Sequence, residues 1–137
     1  MKRYEFKYIS FRGLTFPIIP LELRVLGLPW VGASALVDSG ASVSLFDGAI
    51  ARDLGITIRE GRRIRPAGIG GAITAYVHRV GLKVGDEEFE GEVAFTEKRK
   101  LPVNLLGRAA VFERFVVTFD ERNGKTILET SQDQTRL

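Results

Sequence analysis

No apolar run in this 137-residue chain continues far before a glycine, a proline or a charge interrupts it. That punctuation constrains the fold more than any other feature. Glycine supplies 15 residues, against an ordinary share of about 7%. The pieces between are short, alternate apolar with polar residues, and are rich in β-branched and aromatic side chains. Such a pattern predicts an all-β domain with many turns. Residues 4–9 read as a strand. Residues 16–26 alternate in their second half, while Pro17 and Pro20 confine the start to an edge or an irregular entry. Val31–Val37 runs apolar into the turn-like Asp38-Ser39-Gly40. Residues 59–65 alternate as a basic strand. Residues 73–84 and 87–96 form a hairpin through Gly85-Asp86, and residues 115–119 and 125–129 form another through Asn123-Gly124. Two short helices are expected. One covers residues 47–54, with Asp47 as cap, Ile50 and Leu54 on one face and Gly55 as terminator; the other covers residues 109–114. The length suits one domain, residues 1–130, followed by a polar tail at 131–137.

Residue types exclude several chemistries. The chain has no Cys and a single His, His78. Thiol nucleophiles, Cys-zinc sites and multi-histidine metal sites within one chain are therefore ruled out, and neither metal nor cofactor is expected. What remains for catalysis is carboxylate, hydroxyl and backbone. The net charge of +3 is too small for a nucleic-acid footprint. Residues 1–10 lack the apolar run of a signal peptide, and no stretch is long enough to span a bilayer. A cytoplasmic protein without a membrane partner is the expectation.

Three segments carry chemical interest. In Leu36-Val37-Asp38-Ser39-Gly40-Ala41 a carboxylate follows an apolar strand and precedes a hydroxyl and a glycine. The strand fixes the backbone, Gly40 permits a tight turn, and Ser39 can brace it. Asp38 is thus displayed at the end of a buried strand. By itself Asp-Ser-Gly reads as an ordinary β-turn. About 30 residues later, Gly68-Ile69-Gly70-Gly71 reads as a hairpin tip able to bend over a ligand, and equally as a flexible hairpin. Leu105-Leu106-Gly107-Arg108 is an apolar strand ending in glycine before a short helix.

Together and in this order, the three segments resemble the retropepsin-like aspartic proteases, over residues 15–129. The resemblance implies a retropepsin-like barrel that assembles as a homodimer with one catalytic Asp per chain. It implies an aspartic endopeptidase acting on peptide or protein substrates. Asp38 matches the catalytic carboxylate. Ser39 matches the hydroxyl that braces the two active-site loops across the dimer. Gly40 and Ala41 match residues that line the cleft and offer backbone groups to substrate. Gly68, Ile69, Gly70 and Gly71 match the flap, and Leu105, Leu106, Gly107 and Arg108 match the support beneath the loop. The chain holds no second Asp-Thr/Ser-Gly, as a half-site requires.

One departure stands out. Ser42 occupies a position where retroviral members carry an Asp paired with the arginine matching Arg108, leaving Asp47 or Asp53 as its alternative partners. The alternative function is a peptide-binding or dimerisation module of the same fold with little turnover. A nucleic-acid-binding barrel rests only on the clusters Arg59, Arg62, Arg63, Arg65, Arg79 and Lys98-Arg99-Lys100, and the aromatic residues do not interleave with these charges. A solvated face is the reading for the clusters. His78 is expected on a strand surface, Trp30 in the core or a turn, and Phe112, Phe115 and Phe119 in the core.

Overall fold

The computed structural model describes residues 1–68, 71–98 and 100–130. Ile69, Gly70, Arg99 and the tail at 131–137 lie outside them. The strands, in chain order, are β1 (Arg3–Lys7), β2 (Ile9–Phe11), β3 (Leu14–Phe16), β4 (Ile18–Arg24), β5 (Val31–Val37), β6 (Leu45–Phe46), β7 (Arg62–Ile64), β8 (Ala67–Gly68), β9 (Gly71–Ala72), β10 (Ala75–Val84), β11 (Glu87–Thr96), β12 (Asn104–Leu106), β13 (Phe115–Asp120) and β14 (Lys125–Thr130). The helix α1 (Gly48–Asp53) follows β6. Asp47 caps it through a 2.9 Å bond accepted from the Ala49 N–H, as its sequence predicts.

Six strands close into a ring, in the order β11, β6, β12, β5, β4, β10 and back to β11. The β10–β11 hairpin is its longest wall, paired from Ala75 opposite Thr96 to Val84 opposite Glu87. β12 threads between β5, to which it is parallel, and β6, to which it is antiparallel. Outside the ring, β1, β14 and β13 form a three-stranded sheet in that order. The alternating residues of β4 and β5 explain the core. Ile19, Leu21, Leu23, Ala35 and Val37 point inward and meet Phe46, Leu82, Phe95 and Leu106, all buried. Burial of each large side chain stabilises the fold by about 1.5–3 kcal/mol. Among the described residues no helix is long and apolar enough to cross a membrane.

Several sequence expectations need revision. The basic strand at 59–65 is shorter. Ile58–Glu60 makes one tight helical turn, and only Arg62–Ile64 pairs with β10. Between them the backbone of Gly61 presses on β10, where a Cβ would lie 2.4 Å from the Val77 carbonyl. The expected helix at 109–114 is a single turn at Arg108–Phe112, in which Ala109 is extended and Ala110 has φ +82°. The first N–H groups of that turn are drawn elsewhere, as described below. The strand expected over 4–9 stops at Lys7, and Ile9 opens a new hairpin, β2–β3. Pro20 sits inside β4 opposite Ser34 of β5. It is tolerated because β10 pairs with β4 only from Glu22 to Arg24, which leaves an edge at Pro20.

The single histidine is partly buried, not on the surface. His78 Nε2 lies 2.8 Å from the Ile58 carbonyl, and its ring stands 6.0 Å from that of Phe95. Trp30 is a platform for two cations, Arg24 at 4.4 Å and Lys83 at 4.8 Å from its ring. Phe115 fills the core against Phe89, whereas Phe119 is 38% exposed. Arg59, Arg62 and Arg79 of the basic clusters face Glu97, Glu92 and Glu90.

Candidate functional site

Strand β5 has two unlike faces. Ala35 and Val37 are buried in the barrel, so Leu36 and Asp38, two residues apart, emerge together on the outer face. Asp38 is partly buried and Ser39 and Gly40 are exposed. The chain is clamped where Asp38 leaves the strand. Its N–H donates to the Leu106 carbonyl at 2.9 Å, and the Val37 N–H donates to the Pro17 carbonyl at 2.9 Å. The carboxylate is also oriented, because Oδ1 accepts the Gly40 N–H at 2.9 Å. The turn closes through Ala41 N–H donating to the Asp38 carbonyl at 3.2 Å. An Asp in such a turn holds its own side chain, which is the physical content of the Asp-Ser-Gly pattern.

Beneath this loop, β12 supplies the support. Leu105 pairs with Leu36, and Leu106 with Val37. Gly107 then passes so close to the residues after Asp38 that a Cβ would lie 2.3 Å from the Val43 carbonyl and 2.6 Å from that of Ala41. Glycine is required here by contact, since φ is an ordinary −101°. Beyond it, Arg108 N–H donates to the Ala41 carbonyl at 2.8 Å and Ala109 N–H to the Ser42 carbonyl at 3.1 Å. These two bonds pull the start of the following turn out of helical geometry. They also occupy the Ala41 carbonyl, while the Gly40 N–H is held by Asp38; both groups act inside the loop.

Ser44 is the residue that sequence reasoning missed. It is fully buried, accepts the Gly107 N–H at 3.0 Å and donates to the Ala109 carbonyl at 2.8 Å. Asn104 is a second. Its side chain accepts the Asp47 N–H at 2.9 Å and donates to the Ser34 carbonyl at 3.0 Å, tying β12 to both neighbours. Each is a polar residue inside an apolar run, which is the signal that points to them. Asp47 completes the network by accepting the Leu101 N–H at 2.9 Å. The bond from Ala49 N–H, with help from that of Leu101 and the charges of Lys100 and Arg52, holds its carboxyl below the ordinary 3.8 against the opposing effect of burial. Asp47 is thus already committed. Among the described residues the exposed Arg108 forms no ion pair with it, with Asp53 or with any other acid.

Two short paired strands bound the glycine-rich segment. Ala67 of β8 pairs with Ala72 of β9, and Gly68 with Gly71. Gly71 has φ +108°, a conformation that favours glycine. Ile69 and Gly70, the other residues of this segment, lie outside the described residues. The root of the hairpin is fastened by Ile73 N–H to the Pro66 carbonyl at 3.1 Å and by Arg65 to Thr74 at 3.0 Å. Ile64 and Ile73 join a small apolar cluster that includes Leu45, Val77 and Leu105, linking this root to the strand beneath Asp38.

An apolar groove of about 330 Å³ includes Leu36 in its lining. Ile9, Phe11 and Phe16 of the β2–β3 hairpin line it together with Ile18, Leu36, Pro102 and Val103. Leu36 of this lining and Asp38 are two residues apart on the outer face of the chain leaving β5.

A family model described as aspartyl protease matches residues 21–110, a span containing all three motifs. Among solved structures, a retropepsin-like aspartic protease from Rickettsia conorii is 22% identical, with a TM-score of 0.62 over 93% of this chain and 91% of its own. The EIAV protease complexed with the inhibitor HBY-793 is 19% identical, with a TM-score of 0.52 over 73% of this chain and 88% of its own. The barrel is of the retropepsin-like type. The search of curated proteins gave no match.

Proposed function

Because the chain belongs to the aspartyl protease family, we propose that it is an endopeptidase in which two copies each contribute Asp38 to one active site. The observation that carries this reading is the display of Asp38, with its backbone clamped by Leu106 and its carboxylate aimed by the Gly40 N–H. One chain offers one such carboxylate. Two of them about 3 Å apart share a proton, because both cannot ionise cheaply. The ionised member takes a proton from a water whose oxygen bonds to the peptide carbonyl carbon. The protonated member donates to the carbonyl oxygen. Collapse of this tetrahedral species, with a proton passed to the nitrogen, breaks the C–N bond and releases acid and amine.

Other residues have supporting roles. Among the described residues the exposed Ser39 hydroxyl has no hydrogen-bond partner, which leaves it available to brace the loop of a second copy. Gly68, Ile69, Gly70 and Gly71 serve as the flap that covers the peptide and excludes water. Leu105, Leu106 and Gly107 hold the floor. The second reading, a peptide-binding module with little turnover, draws on Ser42 and on Arg108, which has no ion pair among the described residues. Hydrolysis of a peptide library at mildly acidic pH separates the two. Asp38→Asn is expected to lower the rate by at least about a thousandfold with an unchanged circular dichroism spectrum. Full activity in that variant excludes the catalytic role of Asp38, and binding without turnover by the native protein selects the second reading.

A further inference from the structure

The basic residues that stand out in the sequence divide into two kinds. Arg59, Arg62 and Arg79 face Glu97, Glu92 and Glu90. Arg63, the neighbour of Arg62 on β7, and Lys98, the neighbour of Glu97, have no acidic partner among the described residues. These two meet in a cavity of about 410 Å³, lined also by Arg59, Tyr76, Glu97 and residues 72–74. No residue of the Asp38 loop lines it, and it shares no residue with the groove at Leu36.

Charge is unbalanced in this cavity. Three cations and one carboxylate line it. The carboxylate is already engaged, because Arg59 Nε donates to both oxygens of Glu97 at 2.8 Å. Arg63 and Lys98 are left without a counter-charge in a concave space, whose low-dielectric walls concentrate their field. Arg65 adds another positive charge: its guanidinium donates to Thr74 of the lining at 3.0 Å and has no acidic partner among the described residues. Like charges gathered in this way repel one another, and a bound anion reverses the sign of that interaction.

The neutral groups have matching chemistry. Tyr76 of β10 pairs directly opposite Arg63 of β7, so the two side chains share a face. Among the described residues the Tyr76 hydroxyl has no hydrogen-bond partner, and Thr74, accepting from Arg65, keeps its own proton to donate. Guanidinium, ammonium and hydroxyl donors therefore converge where the one carboxylate is already bonded, which is the donor set that oxyanions take. The volume far exceeds the roughly 30 Å³ of a single water. The two uncompensated cations also come from separate pieces of chain, so an occupant with more than one anionic group matches them best.

We propose that this cavity binds a small polyanion, whose phosphate or carboxylate groups are held by Arg63 and Lys98 with a further bond from Tyr76. The occupant joins β7, the segment after β9 and the end of β11 at the root of the glycine-rich hairpin. This does not rest on the proteolytic reading, since the Asp38 loop takes no part.

The test titrates pyrophosphate and succinate separately into the full chain by calorimetry, at low and constant ionic strength. Submillimolar binding of at least one is expected, and the tighter of the two identifies the group recognised. Arg63→Ala and Lys98→Ala should each weaken it by about tenfold, whereas Arg63→Lys should retain most of the affinity. Arg122→Ala removes the same charge from a distant turn and should change nothing. All these positions are exposed, so circular dichroism should show the native fold in every variant. Amide exchange reports the location: the ligand should slow exchange of the Ile73 N–H, which bonds the Pro66 carbonyl at 3.1 Å in the cavity wall. Failure of both probes to bind overturns the proposal. A loss at Arg122→Ala equal to that at Arg63→Ala marks diffuse attraction and overturns it as well, as does protection confined to amides outside β7, residues 72–76 and the end of β11.

Discussion

The floor beneath Asp38 and the two separate hairpins, β2–β3 and β8–β9, are held in different ways. The floor is a knot of long-range bonds. Leu106 holds Asp38, Ser44 holds Gly107, Asn104 holds Asp47, and Arg108 and Ala109 reach back to Ala41 and Ser42. Each hairpin is a separate two-stranded sheet, fastened mainly at its root. Two strands alone are marginal in water, so these walls take their order from what they pack against. The difference separates two requirements. On the proposed reading, reacting groups need fixed positions, while elements that border a peptide must admit an extended chain and then contact it.

If the floor is rigid because of its bonds, cutting them should cost stability in proportion to burial. Gly107→Ala is the severest case. A Cβ 2.3 Å from the Val43 carbonyl requires backbone movement, and a loss of about 3 kcal/mol is expected, roughly 10 °C in thermal denaturation. Ser44→Ala is next. It strips the buried Gly107 N–H of its acceptor and should cost about 2 kcal/mol in urea unfolding. An unchanged midpoint there would mean that the knot is not what holds the floor.

Asp47→Ala should cost about 1 kcal/mol near neutral pH through the lost cap. That contribution depends on pH. The folded carboxyl is held below its unfolded value, so its stabilisation is complete above the ordinary 3.8 and fades as pH falls through the lower folded value. Unfolding curves of the native protein and the variant should converge in that acid window. The hairpin walls supply the smallest effect: Phe11→Ala, at a 59% exposed position, should change stability by less than about 0.5 kcal/mol in urea unfolding. A large stability loss at Phe11 would erase the distinction between floor and wall.

Much of the local architecture was legible in advance. Gly85-Asp86 and Asn123-Gly124 marked their hairpins, and Asp47 and Gly55 marked both ends of α1, because turn and cap chemistry is carried by adjacent residues. The Asp38 loop was legible for the same reason. The helix at 109–114 was not. Its N–H groups are claimed by Ala41 and Ser42, more than sixty residues earlier, and no local propensity records that. The β2–β3 hairpin was missed although Phe11-Arg12-Gly13-Leu14 places a glycine between two apolar residues. With Arg at the first turn position, the signal is weaker than Asn-Gly.

The residues alone thus determined an all-β chain, the sharp turn that displays Asp38, and a chemistry limited to carboxylate, hydroxyl and backbone. Those follow from side-chain type and period-2 alternation, which act over a few residues. Only the tertiary structure decided that β12 passes between β5 and β6, making Gly107 indispensable and Ser44 a keystone, and that an N-terminal hairpin comes to lie beside Leu36. Contacts between residues 60 or more positions apart depend on how strands are threaded. Threading is settled when the whole core closes, because only then do the buried polar groups find partners.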